Sequence, residues 1–381
     1  MKRRIIVVGG GSGGTIVANR LAGHLSSEIR SQAVEVVVVN ETSYQLYKPL
    51  TLYMAFGKNE ESEAERPVRE LLNEDLPFIQ DRGVGLDLDS KELELASGSS
   101  LSYDYLVLAT GSKLALGRVP GLKESSHHFY GPKGSIKLRE ELAEFEEGHL
   151  VVSVVGVPHM CPVAPMEFSF IADSWFRERG LRDDVKITYT FPGEEMIGKK
   201  NIVEWATPLL EERDINLESG FEVTEVDPDG EVLKSSKGEE MEFDLLVSIP
   251  PHRGDDLVTG ADLGEGEWIE TDKHTLEAKR AEDVYAIGDA TDLSTSMAGS
   301  VAHYQSGVVA ERLASQVRGE VPTARYDGKT ICFIDGVDGD KATFLEFNYG
   351  EEPDIPPESK LIHWAKHSYN KAYWLTAKGL L

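Results

Sequence analysis

Cysteine is scarce in this chain, since only Cys161 and Cys332 occur among 381 residues. Cys161 follows an apolar stretch that predicts a strand at 150–155, and Cys332 lies in a second apolar segment, 331–336. In a cytoplasmic protein a stable structural disulfide is uncommon, so such a pair is expected to be catalytic, metal-binding or simply buried. If the fold brings the two thiols together, they form a redox pair.

Long apolar runs and a signal-like start are missing as well. No run reaches the roughly 18 apolar residues that a membrane-spanning helix requires. The apolar stretch 5–8 is also too short for the core of a secretory signal, and it runs directly into glycines. We therefore expect a cytoplasmic protein whose chain does not cross a bilayer.

Positive charge is in deficit, with 39 Lys and Arg against 66 Asp and Glu and a formal net charge of -27. This excess of acid repels nucleic acid and anionic membrane surfaces, and it argues against a nucleic-acid partner. Adaptation to high salt and ordinary acidic bias are both compatible with this composition. The segment 360–381 is the exception, because it contains four lysines and no acidic residue. We interpret this tail as a separate functional element.

Glycine is present where it carries chemistry. Gly9, Gly11 and Gly14 follow the apolar strand 4–8 and open a predicted helix, with Ser12 inside the turn. Such glycines let the backbone approach a pyrophosphate at the helix N-terminus, where free N–H groups favour an anion. Glu41, after the next predicted strand, is placed to accept from a ribose hydroxyl. Asn40 is the competing candidate for that contact.

Two distant segments favour FAD over NAD as the ligand of this turn. Residues 103–111 end in Ala-Thr-Gly, and residues 283–289 end in Ile-Gly-Asp. Both resemble further fingerprints of the flavoproteins that have two dinucleotide-binding domains. The resemblance implies an FAD site with the following additional cofactor-binding residues: Pro49, Val84, Thr110, Gly111, Gly288 and Asp289.

A second glycine fingerprint for NADH or NADPH is missing. Its place would be after the predicted strand 150–155, where the chain has Gly156 followed by Pro158 and Pro162. A pyrophosphate loop needs several backbone N–H groups, and proline supplies none. Nicotinamide binding is therefore disfavoured, and we expect electrons to arrive by another route.

The cysteine segments give the most specific resemblance. Residues 161–168 (Cys-Pro-Val-Ala-Pro-Met-Glu-Phe), residues 331–333 (Ile-Cys-Phe) and the lysine-rich, aromatic C-terminus resemble sulfide:quinone oxidoreductase. The similarity runs over essentially the whole chain. It implies that Cys161 and Cys332 face the flavin and are joined through bridging sulfur, with Cys332 nearer the flavin. It also implies that Glu167 moves protons, although an acid that simply favours a helix N-terminus is the alternative.

These residue types suit sulfide oxidation. HS⁻ attacks a bridging sulfur, because thiol–disulfide exchange needs an anionic nucleophile and a thiol leaving group. Cys332 then serves as the nucleophile toward the flavin, and Cys161 carries sulfur. Glu167 relays protons if an apolar pocket raises its pKa.

The chain departs from that family in two places. Many members have a third cysteine before the Cys161 strand, whereas residues 124–130 contain none. We therefore expect noncovalent FAD. A Pro-Lys-Thr often opens the helix after the Gly-Asp motif, whereas this chain has residues 300–305, with His303 as a speculative substitute on the quinone side.

The predicted fold class is α/β with two Rossmann-like domains. Residues 1–112 and 244–322 form a discontinuous FAD-binding domain, residues 113–243 a second, degenerate dinucleotide-type domain, and residues 323–381 a C-terminal region. We predict a loop containing Pro49 at 44–52. No metal site is predicted.

The C-terminal region is predicted to contain an amphipathic helix. Its apolar face would hold Leu361, Ala365, Tyr369, Ala372 and Tyr373, with the lysines toward its flanks. Such a helix suits the headgroup region of a membrane. Packing on the parent domain or on a second copy is the alternative.

The resulting functional hypothesis is a monotopic flavoenzyme at the cytoplasmic face of a membrane. It would use FAD and a cysteine redox centre to oxidise sulfide, and it would pass two electrons to a quinone. Three alternatives stay open: the flavoprotein of a flavocytochrome c sulfide dehydrogenase, a type II NADH:quinone dehydrogenase, and a flavin- or sulfur-binding protein without turnover. A homo-oligomer is compatible with the sequence.

Overall fold

The structure is a computed structural model that describes residues 2–194 and 199–380. The strands are, in chain order, β1 (Arg3–Val8), β2 (Val34–Asn40), β3 (Tyr44–Leu46), β4 (Glu65–Pro67), β5 (Phe78–Gln80), β6 (Gly83–Asp87), β7 (Glu92–Leu95), β8 (Ser100–Ser102), β9 (Tyr105–Leu108), β10 (Lys113–Leu114), β11 (Gly148–Val154), β12 (Val185–Phe191), β13 (Ile215–Ser219), β14 (Val223–Asp227), β15 (Val232–Ser235), β16 (Glu240–Glu242), β17 (Leu245–Ile249), β18 (His252–Arg253), β19 (Val284–Ala286), β20 (Thr330–Asp335) and β21 (Ala342–Phe347).

The helices are α1 (Ser12–His24), α2 (Ser26–Arg30), α3 (Pro49–Met54), α4 (Glu61–Ala64), α5 (Val68–Leu71), α6 (Leu122–Ser125), α7 (Pro132–Glu144), α8 (Ala164–Arg179), α9 (Lys200–Glu212), α10 (Asp256–Gly260), α11 (Gly299–Arg318) and α12 (Lys360–Ala377). Short 3₁₀ helices lie at Leu116–Arg118, Arg182–Asp184 and Gly288–Ala290.

The first sheet is parallel and has the strand order β19-β9-β1-β2-β5. Its central strand β1 is aliphatic and fully buried from Ile5 to Val8, as expected for a strand covered on both faces. Helices α1 and α11 pack against each other beside it, and the Ser306 hydroxyl on α11 donates to the Gly13 carbonyl on α1 at 3.0 Å. The predicted α/β fold class is confirmed at this level.

The second sheet is also parallel, with the order β13-β12-β11-β17. Strand β17 pairs along β11, with Leu245 opposite Leu150 and Ile249 opposite Val154. The predicted boundary at residue 244 assigned this strand to the FAD-binding domain. Its hydrogen bonds place it in the second sheet instead, because it returns from the β14-β15-β16 meander directly onto β11.

The predicted loop at 44–52 is wrong. Tyr44–Leu46 is strand β3, which pairs with β4, and α3 begins at Pro49. Proline is tolerated at the first position of a helix, because the N–H it lacks has no intrahelical partner there. Pro49 therefore starts a helix rather than interrupting one.

The C-terminal region consists of the β20–β21 hairpin and α12. Tyr373 is only 3% exposed, and its ring stacks on Tyr47 with centroids 3.7 Å apart. Tyr373, predicted on the apolar face of this helix, therefore packs on the parent domain, which was the alternative to membrane contact. The placement of Lys366 on a flank is wrong, because Lys366 is also buried. Within the described residues, no helix is both long enough and apolar enough to cross a membrane.

Candidate active site

The glycine turn brings three elements into close approach. A Cβ added at Gly9 would lie 2.2 Å from the carbonyl oxygen of Ala109, and one added at Gly14 would lie 1.8 Å from the carbonyl oxygen of Gly9. At Gly11 the corresponding space is open. Two glycines thus permit β1, the end of β9 and α1 to pack together, while the third leaves free space where the predicted pyrophosphate lies.

Asn40 shapes this turn, whereas the Glu41 side chain forms no hydrogen bond to it in the part of the chain that the structure describes. The Asn40 Oδ1 accepts from the Gly10 N–H at 2.7 Å, and the Asn40 amide donates to the Thr42 carbonyl at 2.7 Å. The Glu41 side chain is exposed. The end of β2 therefore supplies a positioning residue for the turn, and both candidates for the ribose contact stand at the same edge.

The two further fingerprints meet next to the glycine turn, because β9 and β19 are neighbours in the first sheet. The Ser112 hydroxyl donates to Asp289 Oδ2 at 3.3 Å, and Lys48 Nζ lies 3.9 Å from the same oxygen. Thr110 Oγ1 is buried and has no hydrogen-bond partner within residues 2–194 and 199–380. An orphaned buried hydroxyl next to a charged edge is suited to a polar ligand such as a dinucleotide.

For the remaining predicted cofactor residues, the structure gives backbone conformation, position and exposure. Gly111 and Gly288 have φ values of 68° and 66°, in the left-handed region that favours glycine. Pro49 directly follows Lys48 at the start of α3. Val84 lies on β6 with its side chain 45% exposed.

Cys161 lies in a tethered loop between β11 and α8. Its N–H donates to the Met297 carbonyl at 2.8 Å, and the Tyr130 hydroxyl donates to the preceding Met160 carbonyl at 3.0 Å. Cys161 itself has a φ of 50°, an unusual conformation for a residue with a side chain. These tethers fix the direction of the Cys161 side chain relative to α8.

Cys332 lies on strand β20, and its thiol is close enough to that of Cys161 to be influenced by it. Both cysteines are free thiols, and Cys332 is 5% exposed. Burial raises the pKa of the Cys161 thiol to about 12, with a smaller contribution from Glu167 that Lys366 opposes. Burial also raises the pKa of Cys332, and Cys161 adds to that rise. The contributions of Cys161 and Glu167 to the pKa of Cys332 indicate that the three side chains lie near one another, with Cys332 and Glu167 buried and Cys161 half-buried.

Glu167, on the first turn of α8, has two buried partners that the sequence did not identify. Lys366 on α12 donates to Glu167 Oε1, and the Tyr53 hydroxyl on α3 lies 3.1 Å from the same oxygen. Burial raises the pKa of the Glu167 carboxyl, and the Lys366 charge opposes this rise. A carboxyl in this position can hold a proton closer to neutral pH than an exposed one.

Asp335, at the end of β20, joins the same cluster through Tyr53. The Tyr53 hydroxyl lies 2.8 Å from Asp335 Oδ2, while His363 Nδ1 and His367 Nε2 lie 2.6 and 2.9 Å from the two Asp335 oxygens. Burial alone would raise the pKa of Asp335, but the two histidines and Lys366 hold it well below its usual range.

The distances between Asp335 and the two histidines are those of hydrogen bonds. Oxygen and nitrogen ligands of one tetrahedral zinc ion lie about 3.3 Å apart, given metal–ligand bonds of about 2.0–2.1 Å. The two Asp335–histidine contacts are shorter, at 2.6 and 2.9 Å. They are hydrogen bonds, and the spacing of the histidines, one turn apart on α12, is the only signal in the sequence that hinted at the cluster.

A cavity of about 450 Å³ opens beside the Cys161 loop. Its lining includes His159, Pro162, Phe191, Trp268, Thr295 and Met297. Burial lowers the pKa of His159 to about 4, so this imidazole is neutral at physiological pH. Asp292 is the one acidic side chain among the described residues of this lining. A mostly apolar cavity next to a cysteine is suited to a small or sulfur-rich ligand.

His303 lies away from this cluster. Its Nε2 is 3.5 Å from an Arg20 guanidinium nitrogen on α1, and burial lowers its pKa. The sequence offered His303 as a substitute for a lysine on the quinone side. The structure places Lys366, not His303, beside Glu167.

Together, the two parallel sheets, the glycine turn and the two neighbouring cysteines define the class of protein: an α/β redox protein built to bind a dinucleotide. Residues 3–312 match the family model described as pyridine nucleotide-disulphide oxidoreductase. The chain belongs to this family and is an oxidoreductase.

Three comparisons refine the likeness. The chain is 26% identical over 362 residues to "Sulfide:quinone oxidoreductase, mitochondrial" of Mus musculus, covering 92% of this chain and 79% of that protein. It is 25% identical to "Alternative NAD(P)H-ubiquinone oxidoreductase C1" of Arabidopsis thaliana, over 77% of this chain and 62% of that protein. Its fold superposes on the sulfide:quinone oxidoreductase of Aquifex aeolicus with a TM-score of 0.88 at 19% identity, covering 99% of this chain and 92% of that one. The predicted resemblance to sulfide:quinone oxidoreductase is confirmed.

Proposed function

We propose that this oxidoreductase is a flavoenzyme that oxidises sulfide and reduces a quinone. The observation that carries the proposal is the buried site in which Cys161 and Cys332 share one environment with Glu167 and Lys366. These are the only cysteines of the chain. The names of the mouse and Aquifex proteins support the same substrates.

The proposed cofactor is noncovalent FAD, held at the glycine turn and the Thr110–Asp289 edge. FAD, when bound, supplies a two-electron acceptor. The open space at Gly11 and the orphaned Thr110 hydroxyl fit its polar part. Noncovalent binding follows from the chemistry proposed for the cysteines, because both are assigned to sulfur transfer.

The proposed sulfur step begins with HS⁻. Because burial raises the pKa of both thiols, neither cysteine is a ready thiolate at neutral pH. The incoming HS⁻ therefore supplies the anion. It attacks a sulfur bridging the pair, so that a new S–S bond forms on the Cys161 side while the S–S bond to Cys332 breaks. Cys332 leaves with the electron pair, and Lys366 is the nearby cation that stabilises this charge.

On the quinone side we assign the proton to Glu167. Its raised pKa allows it to hold a proton, and its contact with Lys366 keeps the carboxyl in place. His303 has no part in this assignment, because it contacts Arg20.

The exposed face of α12 supports a proposal of membrane association. Leu361 is 78%, Trp364 67% and Leu375 47% exposed, and Tyr369 lies in the same stripe at 41%. Apolar and aromatic side chains at these helical spacings suit the interface of a bilayer, where a quinone is dissolved. We propose peripheral binding at the cytoplasmic face.

We also propose an FAD-binding domain of residues 1–112 and 250–322, with β17 transferred to the second domain.

The decisive experiment is an absorption spectrum of the purified, FAD-loaded protein under anaerobic conditions. Sulfide is expected to bleach the oxidised flavin band, and added quinone to restore it. Cys332→Ser is expected to bind FAD but to lose the bleaching. A normal sulfide response in Cys332→Ser would refute the proposal.

The same assay separates the alternatives. Fast bleaching by NADH, with none by sulfide, would favour the NADH:quinone dehydrogenase that the Arabidopsis relative suggests. Bleaching by sulfide that a cytochrome reverses but no quinone does would favour the flavocytochrome type. FAD binding with no response to any donor would indicate a non-catalytic flavoprotein. Release of all FAD by acid precipitation is expected if the cofactor is noncovalent.

A further inference from the structure

A continuous chain of hydrogen bonds leads from Glu167 to the surface of α12. It passes from Glu167 Oε1 to the Tyr53 hydroxyl over 3.1 Å and from there to Asp335 Oδ2 over 2.8 Å. It then divides, reaching His363 Nδ1 over 2.6 Å and His367 Nε2 over 2.9 Å. Four elements that are far apart in sequence, α3, α8, β20 and α12, supply its members.

Exposure along this chain has a direction. The Glu167 and Asp335 side chains are 6% and 4% exposed, whereas those of His363 and His367 are 23% and 34% exposed. Tyr53 is buried between them. Only the histidine end can exchange protons with water. Histidine is also the residue whose ordinary pKa is closest to neutral pH.

We infer that Tyr53, Asp335 and the His363–His367 pair form a proton path between water and Glu167. The inference rests on the proposed function. In that reaction HS⁻, quinone and one proton give one bound sulfur atom and quinol, so one proton must be taken up from water in each turnover. Glu167 is buried, and the path connects it to solvent without a change in fold.

The transfer can be written atom by atom. A proton from water binds the free ring nitrogen of His367, and the hydrogen on its Nε2 passes to Asp335 Oδ2, the oxygen that also contacts Tyr53. Through His363 the proton arrives at Oδ1 instead, and the carboxyl must rotate before it passes the proton to Tyr53. Asp335 passes a proton to the Tyr53 oxygen as the Tyr53 hydrogen moves to Glu167 Oε1. Every member returns to its starting charge, except Glu167, which gains the proton. Burial and the two carboxylates raise the pKa of Tyr53 far above neutral, so it acts as a hydroxyl throughout.

Other charged groups face this path and set its pH dependence. Lys366, on the same helix as the histidines, lies 5.3 Å above the Tyr53 ring and pairs with Glu167. Asp340, in the turn after β20, pairs with Lys360, and this contact together with a smaller contribution from His363 lowers the pKa of Asp340. Lys366 hydrogen-bonds to Glu167 Oε1 at the inner end of the path, whereas Asp340 lies outside the hydrogen bonds of the path.

A purely structural role is the competing explanation, because the same contacts fix α12 to β20. Tyr53→Phe separates the two, since it keeps the ring and removes only the hydroxyl. Tyr47→Phe is the matched control: Tyr47 is also buried, and its hydroxyl lies 2.8 Å from Asn370 on α12, outside the path.

The test uses the FAD-loaded enzyme with sulfide and a soluble quinone, in H₂O and in D₂O. Tyr53→Phe is expected to slow turnover by about 100-fold, the low end of what positioned acid–base groups contribute, and to enlarge the solvent isotope effect. Tyr47→Phe is expected to keep the wild-type isotope effect. In His363→Ala/His367→Ala, added imidazole is expected to restore turnover, which a structural role does not predict.

Two further measurements distinguish a failure of the proton path from a failure of the proposed function. Bleaching by sulfide without quinone tests the proposed function alone and should persist in every path variant. Nitrogen-15 spectra of the histidines, recorded without turnover, should show the hydrogen of His363 on Nδ1 and that of His367 on Nε2. Wild-type turnover and isotope effect in both Tyr53→Phe and the double histidine variant would overturn the path, as would hydrogens on the opposite ring nitrogens.

Discussion

Two buried carboxyl groups joined by one tyrosine hydroxyl are the central residues of this site. Asp335 accepts from two histidines, and its pKa is held well below the usual range, whereas burial raises the pKa of Glu167. Pairs whose environments separate their pKa values in this way divide the roles of anion and proton carrier between them. Tyr53 contacts both, so the division is made within a single hydrogen-bonded unit.

Acid stability should report the Asp335 anion. The folded-state pKa of Asp335 lies below its unfolded value of about 3.9, so its stabilising contribution is complete above that value and is lost as the pH falls through the folded-state pKa. We expect the unfolding free energy of the wild type to fall more steeply between about pH 5 and pH 2 than that of Asp335→Asn. Denaturant unfolding across this range checks it, and parallel curves would contradict it.

Gly14 and Gly11 should differ sharply when replaced by alanine. Gly14→Ala drives a Cβ to within 1.8 Å of the Gly9 carbonyl oxygen, whereas Gly11→Ala meets nothing within 4 Å. We expect Gly14→Ala to lower the unfolding free energy by at least about 1–3 kcal/mol, as overpacking does. Gly11→Ala should keep the stability of the apoprotein but weaken FAD retention. Equal stability of the two variants in urea would contradict this assignment.

The sequence predicted the site residues that belong to local motifs. The glycine turn, the Gly-Asp edge and the two cysteines each carry a short signature. Tyr53, Asp335 and Lys366 carry none, because their roles come from contacts between residues that lie 114 to 282 positions apart. The basic tail contains four lysines, and its sequence does not indicate that Lys366 is the one with a buried side chain.

At the scale of elements, strands with a strong hydrophobic pattern were predicted correctly. The partner of a strand within a sheet was not. The buried strands β1 and β11 were predicted within a few residues of their observed bounds. The sheet to which β17 belongs was not, because an apolar run carries no information on its partner strand. α12 was predicted as a helix, but its buried face is also polar, with Lys366 and Asn370 inside.

Two aromatic residues of α12 should separate its two faces. Tyr373 is buried and stacks on Tyr47, while Trp364 is 67% exposed. We expect Tyr373→Ala to lower the unfolding free energy by about 3–5 kcal/mol and Trp364→Ala to change it by no more than about 0.5 kcal/mol. Denaturant unfolding measures both.

Binding to membranes should instead depend on the exposed face of α12. Trp364→Ala is expected to reduce sedimentation with phospholipid vesicles, because the exposed apolar stripe loses its largest member. Vesicle binding unchanged by Trp364→Ala together with Leu361→Ser would remove the support for an interfacial α12. Normal unfolding of the same double variant is the control for its fold.

At the scale of the whole molecule, acidic charge is the dominant electrostatic feature, with a formal net charge of -27. Ion pairs neutralise part of this negative charge. The buried Asp173, for example, contacts Arg182 and Arg213 at 2.6 Å each. The remaining acidic residues repel one another across the surface. Such self-repulsion destabilises the compact state while it keeps the protein soluble.

Salt should therefore stabilise this protein. Raising NaCl from 0.1 to 1 M shortens the screening length from about 10 to about 3 Å, which weakens the repulsion among surface acids more than it weakens the buried pairs. We expect the melting temperature to rise by several degrees. The variant Asp89→Lys/Glu218→Lys/Glu222→Lys replaces three exposed acids and brings the net charge from -27 to -21. If screening is the cause, this variant melts higher at low salt and gains less from NaCl. An equal gain in both proteins would assign the effect to preferential exclusion of salt instead.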